Sequence, residues 1–164
     1  MTDDPLSPAI ENPIELDTYA LSTVVYAERE DGAILLMQRA EGTAMAGQFF
    51  MPGGLVDPGE EPFAAAAREL FEESGLRFLG QPTMVGCYPM WVYGRDMLQL
   101  SFRGRVEGEV VQSHEHTAHR WVDPTEMTGL FTDDSVAAIS GGDDRIESLL
   151  RYIGADLDRY LRLR

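Results

Sequence analysis

The chain has one cysteine, Cys87, in 164 residues. That excludes an intramolecular disulfide and a thiolate-based zinc motif, and leaves Cys87 to be read as a small buried or half-buried hydrophobe. Positive charge is also scarce: 13 basic residues stand against 28 acidic ones, for a net charge of −15. This balance argues against a broad basic patch for a long nucleic acid or an acidic membrane surface. A small phosphorylated substrate stays compatible, because a bound divalent ion and a few local arginines can set the potential of one site. No apolar run approaches the roughly 18 residues of a membrane span. Met1 to Pro13 show neither the basic nor the apolar segment of a secretory leader, so a cytoplasmic protein is the expectation. Internal repeats and low-complexity tracts are absent too.

What is present is enough apolar residue, 44%, for a core without disulfides. The division expected is a loose arm over 1–16, with Pro5, Pro8 and Pro13, and one domain over 17–164. Tyr19 to Ala27 and Ala33 to Gln38 are apolar runs around an Asp31-Gly32 reversal and read as neighbouring strands. Thr83 to Tyr88 and Met97 to Val106 add two more, the second with Leu98, Leu100 and Phe102 on one face. Asp123-Pro124 caps a short helix, Thr132 to Ile139 reads as another, and the tail carries Ile146, Leu149, Leu150, Ile153 and Leu157 at helical spacing. That tail covers one face of the sheet or serves a homodimer interface.

The chemistry concentrates between Gly54 and Leu76, GLVDPGEEPFAAAARELFEESGL. Pro62 suits the first turn of a helix and Gly75 its left-handed end. On that helix Glu69, Glu72 and Glu73 fall within roughly 100° of arc. Like charges so placed repel, and a hard divalent cation with oxygen ligands offsets them. Phe63, Ala67, Leu70, Phe71 and Ser74 form the opposite, packing face in this reading. The preceding Pro52-Gly53-Gly54 fixes a tight loop in which Gly54 lets backbone approach a cation.

This stretch resembles the signature of the Nudix hydrolase family: Gly54, five residues, Glu60, seven residues, Arg68-Glu69-Leu70, one residue, Glu72-Glu73, one residue, Gly75 and Leu76. A looser likeness runs from about Tyr19 to Met127, with Phe49 where an aromatic is common and Arg120-Trp121-Val122 as a later strand. The resemblance implies an α/β/α sandwich with a mixed central β-sheet. It also implies hydrolysis of the diphosphate linkage of a nucleoside diphosphate joined to a group X, such as ADP-ribose, a dinucleotide, a nucleotide sugar or a nucleoside triphosphate. Glu69, Glu72 and Glu73 would hold Mg²⁺ or Mn²⁺. Arg68 would orient a glutamate, and Glu60 would be an outer or water-mediated ligand or an anchor of the loop. A box glutamate or Glu115 would take the proton from water. Arg39 is a candidate phosphate contact, Phe49 a substrate contact, and Tyr93 lies where dinucleoside polyphosphate members tend to carry a tyrosine.

Other readings compete. His114, His116 and His119 do not fit an HExxH zinc motif. An isoprenoid diphosphate isomerase would need a catalytic cysteine in a motif that Val85-Gly86-Cys87-Tyr88 lacks. A catalytically silent nucleotide-binding or regulatory module on the same fold would be expected to lose box glutamates, and this chain keeps them all.

Overall fold

The computed structural model describes residues 18–43, 45–92 and 94–164. The arm expected over 1–16 and the tyrosine at position 93 lie outside the described residues. In chain order the strands are β1 (Ala20–Glu28), β2 (Ile34–Arg39), β3 (Phe49–Phe50), β4 (Arg77–Phe78), β5 (Thr83–Val92), β6 (Arg95–Glu107) and β7 (His116–Val122). The helices are α1 (Pro62–Ser74), a 3₁₀ turn over Pro124–Phe131, α2 (Asp133–Ser140) and α3 (Asp144–Leu163).

The two apolar runs near the start pair as expected. The Arg29 N–H donates to the Ala33 carbonyl at 2.8 Å, closing a reversal in which Gly32 takes φ 86°. β1 then runs parallel to β6, with Val25 opposite Phe102. All other strand pairs named here are antiparallel: β2 with β1, β3 and β7, and β6 with β4 and β5. The sheet is therefore mixed, and both of its faces are covered. Val24, Tyr26, Ile34 and Leu36 pack with Ile153, Leu157 and Tyr160 of α3. Val25, Ala27, Leu35 and Met37 pack with Ala66 and Leu70 of α1. Alternation along β1 and β2 sends successive residues to opposite helix layers, which gives the α/β/α sandwich.

Several sequence expectations need correction. β5 continues through Pro89 to Val92 rather than ending at Tyr88; among the described residues its strand partner is β6 alone, and such an edge position tolerates a proline. Cys87 on this strand is exposed rather than buried. The packing side of α1 is Ala65, Ala66, Leu70, Glu73 and Ser74, whereas Phe63, Ala67 and Phe71 are exposed. The glutamate arc therefore overlaps the buried stripe, and Glu73 is carried inward. The tail packs on its own sheet, and its buried face includes Asp156 and Tyr160, which apolar spacing does not reveal. The Tyr26 hydroxyl donates to Asp156 at 3.0 Å and the Tyr160 hydroxyl to Glu28 at 2.8 Å, with the two rings stacked at 4.3 Å.

The helix caps follow the sequence. Asp123 accepts from the Thr125 N–H, Thr132 from Ser135 and Asp143 from Arg145. Gly75 ends α1 at φ 73°, its N–H donating to the Phe71 carbonyl. A Cβ there would also stand 3.2 Å from Val111 Cβ. We expect Gly75→Ala to cost about 1–2 kcal/mol. Thermal unfolding would show this as a fall of about 5 °C; an unchanged midpoint would contradict the left-handed cap.

Candidate active site

The loop before α1 is built onto β1. The Thr23 N–H donates to the Gly54 carbonyl and the Val25 N–H to the Pro52 carbonyl, both at 2.8 Å. Gly53 is required by this approach, because a Cβ would overlap the Thr23 carbonyl oxygen and stand 2.9 Å from Val24 Cα. The same approach aims the Gly53 N–H at Glu73, whose Oε2 accepts it at 2.9 Å. Gly54 abuts the neighbouring carboxylate: a Cβ there would lie 2.5 Å from both oxygens of Glu69.

Arg68 ties this loop to the helix. Its Nε and Nη2 each donate to Glu60 at 2.9 Å, and Nη2 also reaches the Leu55 carbonyl at 2.9 Å. Nη1 bridges Glu69 at 2.8 Å and Glu72 at 3.3 Å. The planar fork suits this four-way contact as an ammonium would not. Of the readings open for Glu60, the observed place matches the loop anchor: it accepts from Arg68 and from the Asp57 N–H, and is not among the residues lining the main cleft.

That cleft, about 380 Å³, brings Glu69, Glu73, Gly53 and Gly54 together with Arg39 and Glu115. Thus the first β-hairpin, the glycine loop, α1 and the segment before β7 all deliver candidate residues to one place. Glu72 does not line it and keeps 57% of its side chain exposed. Phe49 does not line it either; Phe50 does, while Arg120 lies 3.5 Å over the Phe49 ring, which packs against the core. Much of the rest of the wall is apolar, with Met45, Phe50, Met51, Met90 and Met97 joined by Leu149 and Ile153 of α3. Ser22, Thr23 and Gln99 supply its other polar side chains.

Burial sets the electrostatics. It pushes the Glu73 carboxyl up to about 7, against the opposing Gly53 N–H and with the Glu69 charge adding to it. Burial also raises Glu69, although Arg68 opposes the shift. His116 was missed as a site residue in the sequence, although it adjoins Glu115: its Nε2 stands 3.7 Å from Glu73 Oε1 and its Nδ1 3.1 Å from Ser113 Oγ. Burial and the Arg39 charge hold His116 below the usual histidine range, against the opposing charge of Glu115. That shift weakens the contact with Glu73 as an ion pair.

The donor set suits a hard cation, since three carboxylates within five residues offer only oxygen. As arranged here, with Arg68 bridging Glu69 and Glu72, no three His, Cys, Asp or Glu side chains among the described residues converge on one point. A helix long and apolar enough to cross a membrane is also absent among them.

Comparison with known proteins agrees with this fold. The chain matches the NUDIX domain over residues 18–139. It is 32% identical over 111 residues to a MutT-like protein of Streptomyces ambofaciens, covering 67% of this chain and 68% of that protein. An RNA pyrophosphohydrolase of Rhodopseudomonas palustris strain BisB18 shares 37% identity over 59 residues, and the chain spans 34% of its length. The crystal structure of a MutT protein from Methanosarcina mazei Go1 superposes with a TM-score of 0.69 at 26% identity, over 92% of this chain and 97% of that one. With the glycine loop, the bridging arginine and the inward glutamates all on one mixed-sheet sandwich, the chain belongs to the Nudix hydrolase family.

Proposed function

We propose that this protein is a divalent-cation-dependent pyrophosphohydrolase that cleaves the diphosphate linkage of a nucleoside diphosphate joined to X. The observation that carries the reading is the meeting of Glu69 and Glu73 with Gly53-Gly54, Arg39 and Glu115 on one cleft whose other walls are largely methionine, leucine, isoleucine and phenylalanine side chains. One end suits phosphate and cation, the other an organic group.

Mg²⁺ or Mn²⁺, when bound, would neutralise phosphate oxygens and lower the pKa of water. Glu69, Glu72 and Glu73 would hold it, releasing two of them from Arg68, which keeps its grip on Glu60 and the loop. Arg39 would face the phosphate charge. Glu115, exposed at the cleft, would accept the proton as water adds to phosphorus and the bridging P–O bond breaks. No side chain needs to act as a covalent nucleophile; positioning and charge do the work. One relative is an RNA pyrophosphohydrolase, yet a net charge of −15 favours a small nucleotide over a long RNA.

The test is product release from ADP-ribose, NADH, diadenosine polyphosphates, nucleotide sugars and nucleoside triphosphates, with Mg²⁺ or Mn²⁺ and with chelator. Cation-dependent cleavage of at least one class is expected. No turnover of any class with cation bound would favour the silent binding module.

A further inference from the structure

Two hydroxyls on the cleft wall, Ser22 Oγ and Thr23 Oγ1, are buried and have no hydrogen-bond partner among the described residues. Ser22 is 8% exposed. A buried polar atom left unpaired costs about 1–3 kcal/mol, so its persistence calls for a reason. Of the two, Ser22 shares its sheet face with Val24 and thus faces the α3 layer. In the parallel register it lies directly opposite Gln99, which also lines the cleft. Met97 lies two residues before Gln99 on the same face, and Met90 is its partner across the β5–β6 pair. Met51 and Phe50 complete the surround.

Thioether and aromatic surfaces of this kind accept a flat ring, and sulfur contacts with aromatic edges are favourable. An amide presents a donor and an acceptor side by side, which matches a nucleobase edge carrying a ring acceptor next to an amino group. We propose that Ser22 and Gln99 read the hydrogen-bonding edge of a nucleobase seated among Met51, Met90 and Met97, and that this pair sets which nucleotide the protein accepts. The assignment rests on the hydrolase reading only for the phosphate end of the ligand.

The test is calorimetric titration, without metal, of wild type, Ser22→Ala and Gln99→Glu with the four common nucleoside 5′-monophosphates. Wild type should prefer one base over the weakest by about tenfold or more, the worth of one or two hydrogen bonds. Gln99→Glu keeps the shape but removes both donors, so it should reorder or flatten that preference. Ser22→Ala should reduce it about tenfold or less while its unfolding midpoint holds or rises, since the hydroxyl has no partner to lose. That combination separates a reading role from a structural one, and Ser22→Ala decides the matter should Gln99→Glu fold poorly. In hydrolysis both losses should appear in KM more than in kcat.

Equal affinity for all four bases, no measurable binding of any, or unchanged ratios in both variants would overturn the assignment. Base-selective binding in a protein that hydrolyses nothing would sink the hydrolase reading and leave this one standing. Cation-dependent hydrolysis indifferent to the base would do the reverse.

Discussion

Glu73→Gln should lower kcat for cation-dependent hydrolysis by a factor on the order of 10² to 10³, the scale for removing one charge-stabilising group from a preorganised site. The amide is isosteric, and its oxygen can still accept the Gly53 N–H that reaches Glu73 at 2.9 Å, so the loop should keep its place. What is lost is a carboxylate that the fold has carried to 6% exposure at the wall of the cleft. Substrate affinity should change little. Near wild-type turnover would remove Glu73 from the chemistry.

The same variant should change how stability depends on pH in the absence of cation. Burial raises the Glu73 carboxyl to about 7 in the folded protein, well above the ordinary glutamate range. A raised carboxyl favours the folded state fully below its unfolded value, and this contribution is lost as pH rises through about 7. Its size is at most about 3 kcal/mol. His116, held below its usual range, acts in the opposite sense as pH falls below the unfolded histidine value. The informative quantity is therefore the difference between wild type and Glu73→Gln. Unfolding midpoints in chelator should show the variant gaining on wild type from pH 5 to pH 8. Parallel curves would mean that Glu73 ionises normally.

The two neighbouring glycines should separate stability from activity. Gly53→Ala sets a methyl against the backbone of β1, which cannot yield as a side-chain tip can. Accommodating it means parting the loop from the strand and giving up the two 2.8 Å bonds at Gly54 and Pro52. Overpacking and those bonds together suggest a loss of roughly 3 kcal/mol or more, about 10 °C in the unfolding midpoint. Gly54→Ala meets first the end of the Glu69 side chain, with both carboxylate oxygens at 2.5 Å. It should cost much less stability, yet displace Glu69 and lower kcat by tenfold or more. Equal midpoints for the two variants would show that the loop does not lie against β1 in this way.

The box was legible because its chemistry is written locally. Gly54 to Leu76 fixes a loop, a proline start, a glutamate arc and a glycine end within one stretch, and each appears in the fold. The strands were legible from their apolar runs to within a few residues. Contacts between distant segments were not. The packing side of α1 depends on which sheet residues meet it, so Glu73 turned out buried beside Leu70 although a charge pattern alone placed it on the far face. His116 reaches Glu73 only because the segment before β7 is bonded to α1, with the Ser113 N–H on the Glu73 carbonyl at 3.1 Å. Phe49 and Phe50 cannot be told apart in composition, yet only Phe50 lines the cleft. Asp156 lies in an apolar-periodic helix as one more acid, and its role emerges only when Tyr26, 130 residues earlier, is found against it.

The most direct test of the proposal that these glutamates hold a cation is a Mn²⁺ titration followed by the electron paramagnetic resonance of the free ion, on wild type, Glu69→Gln and Glu73→Gln. Wild type should bind at least one Mn²⁺, and each variant should weaken it by about tenfold or more. Undiminished binding in both variants, or none in wild type, would contradict the assignment of these carboxylates as the cation site.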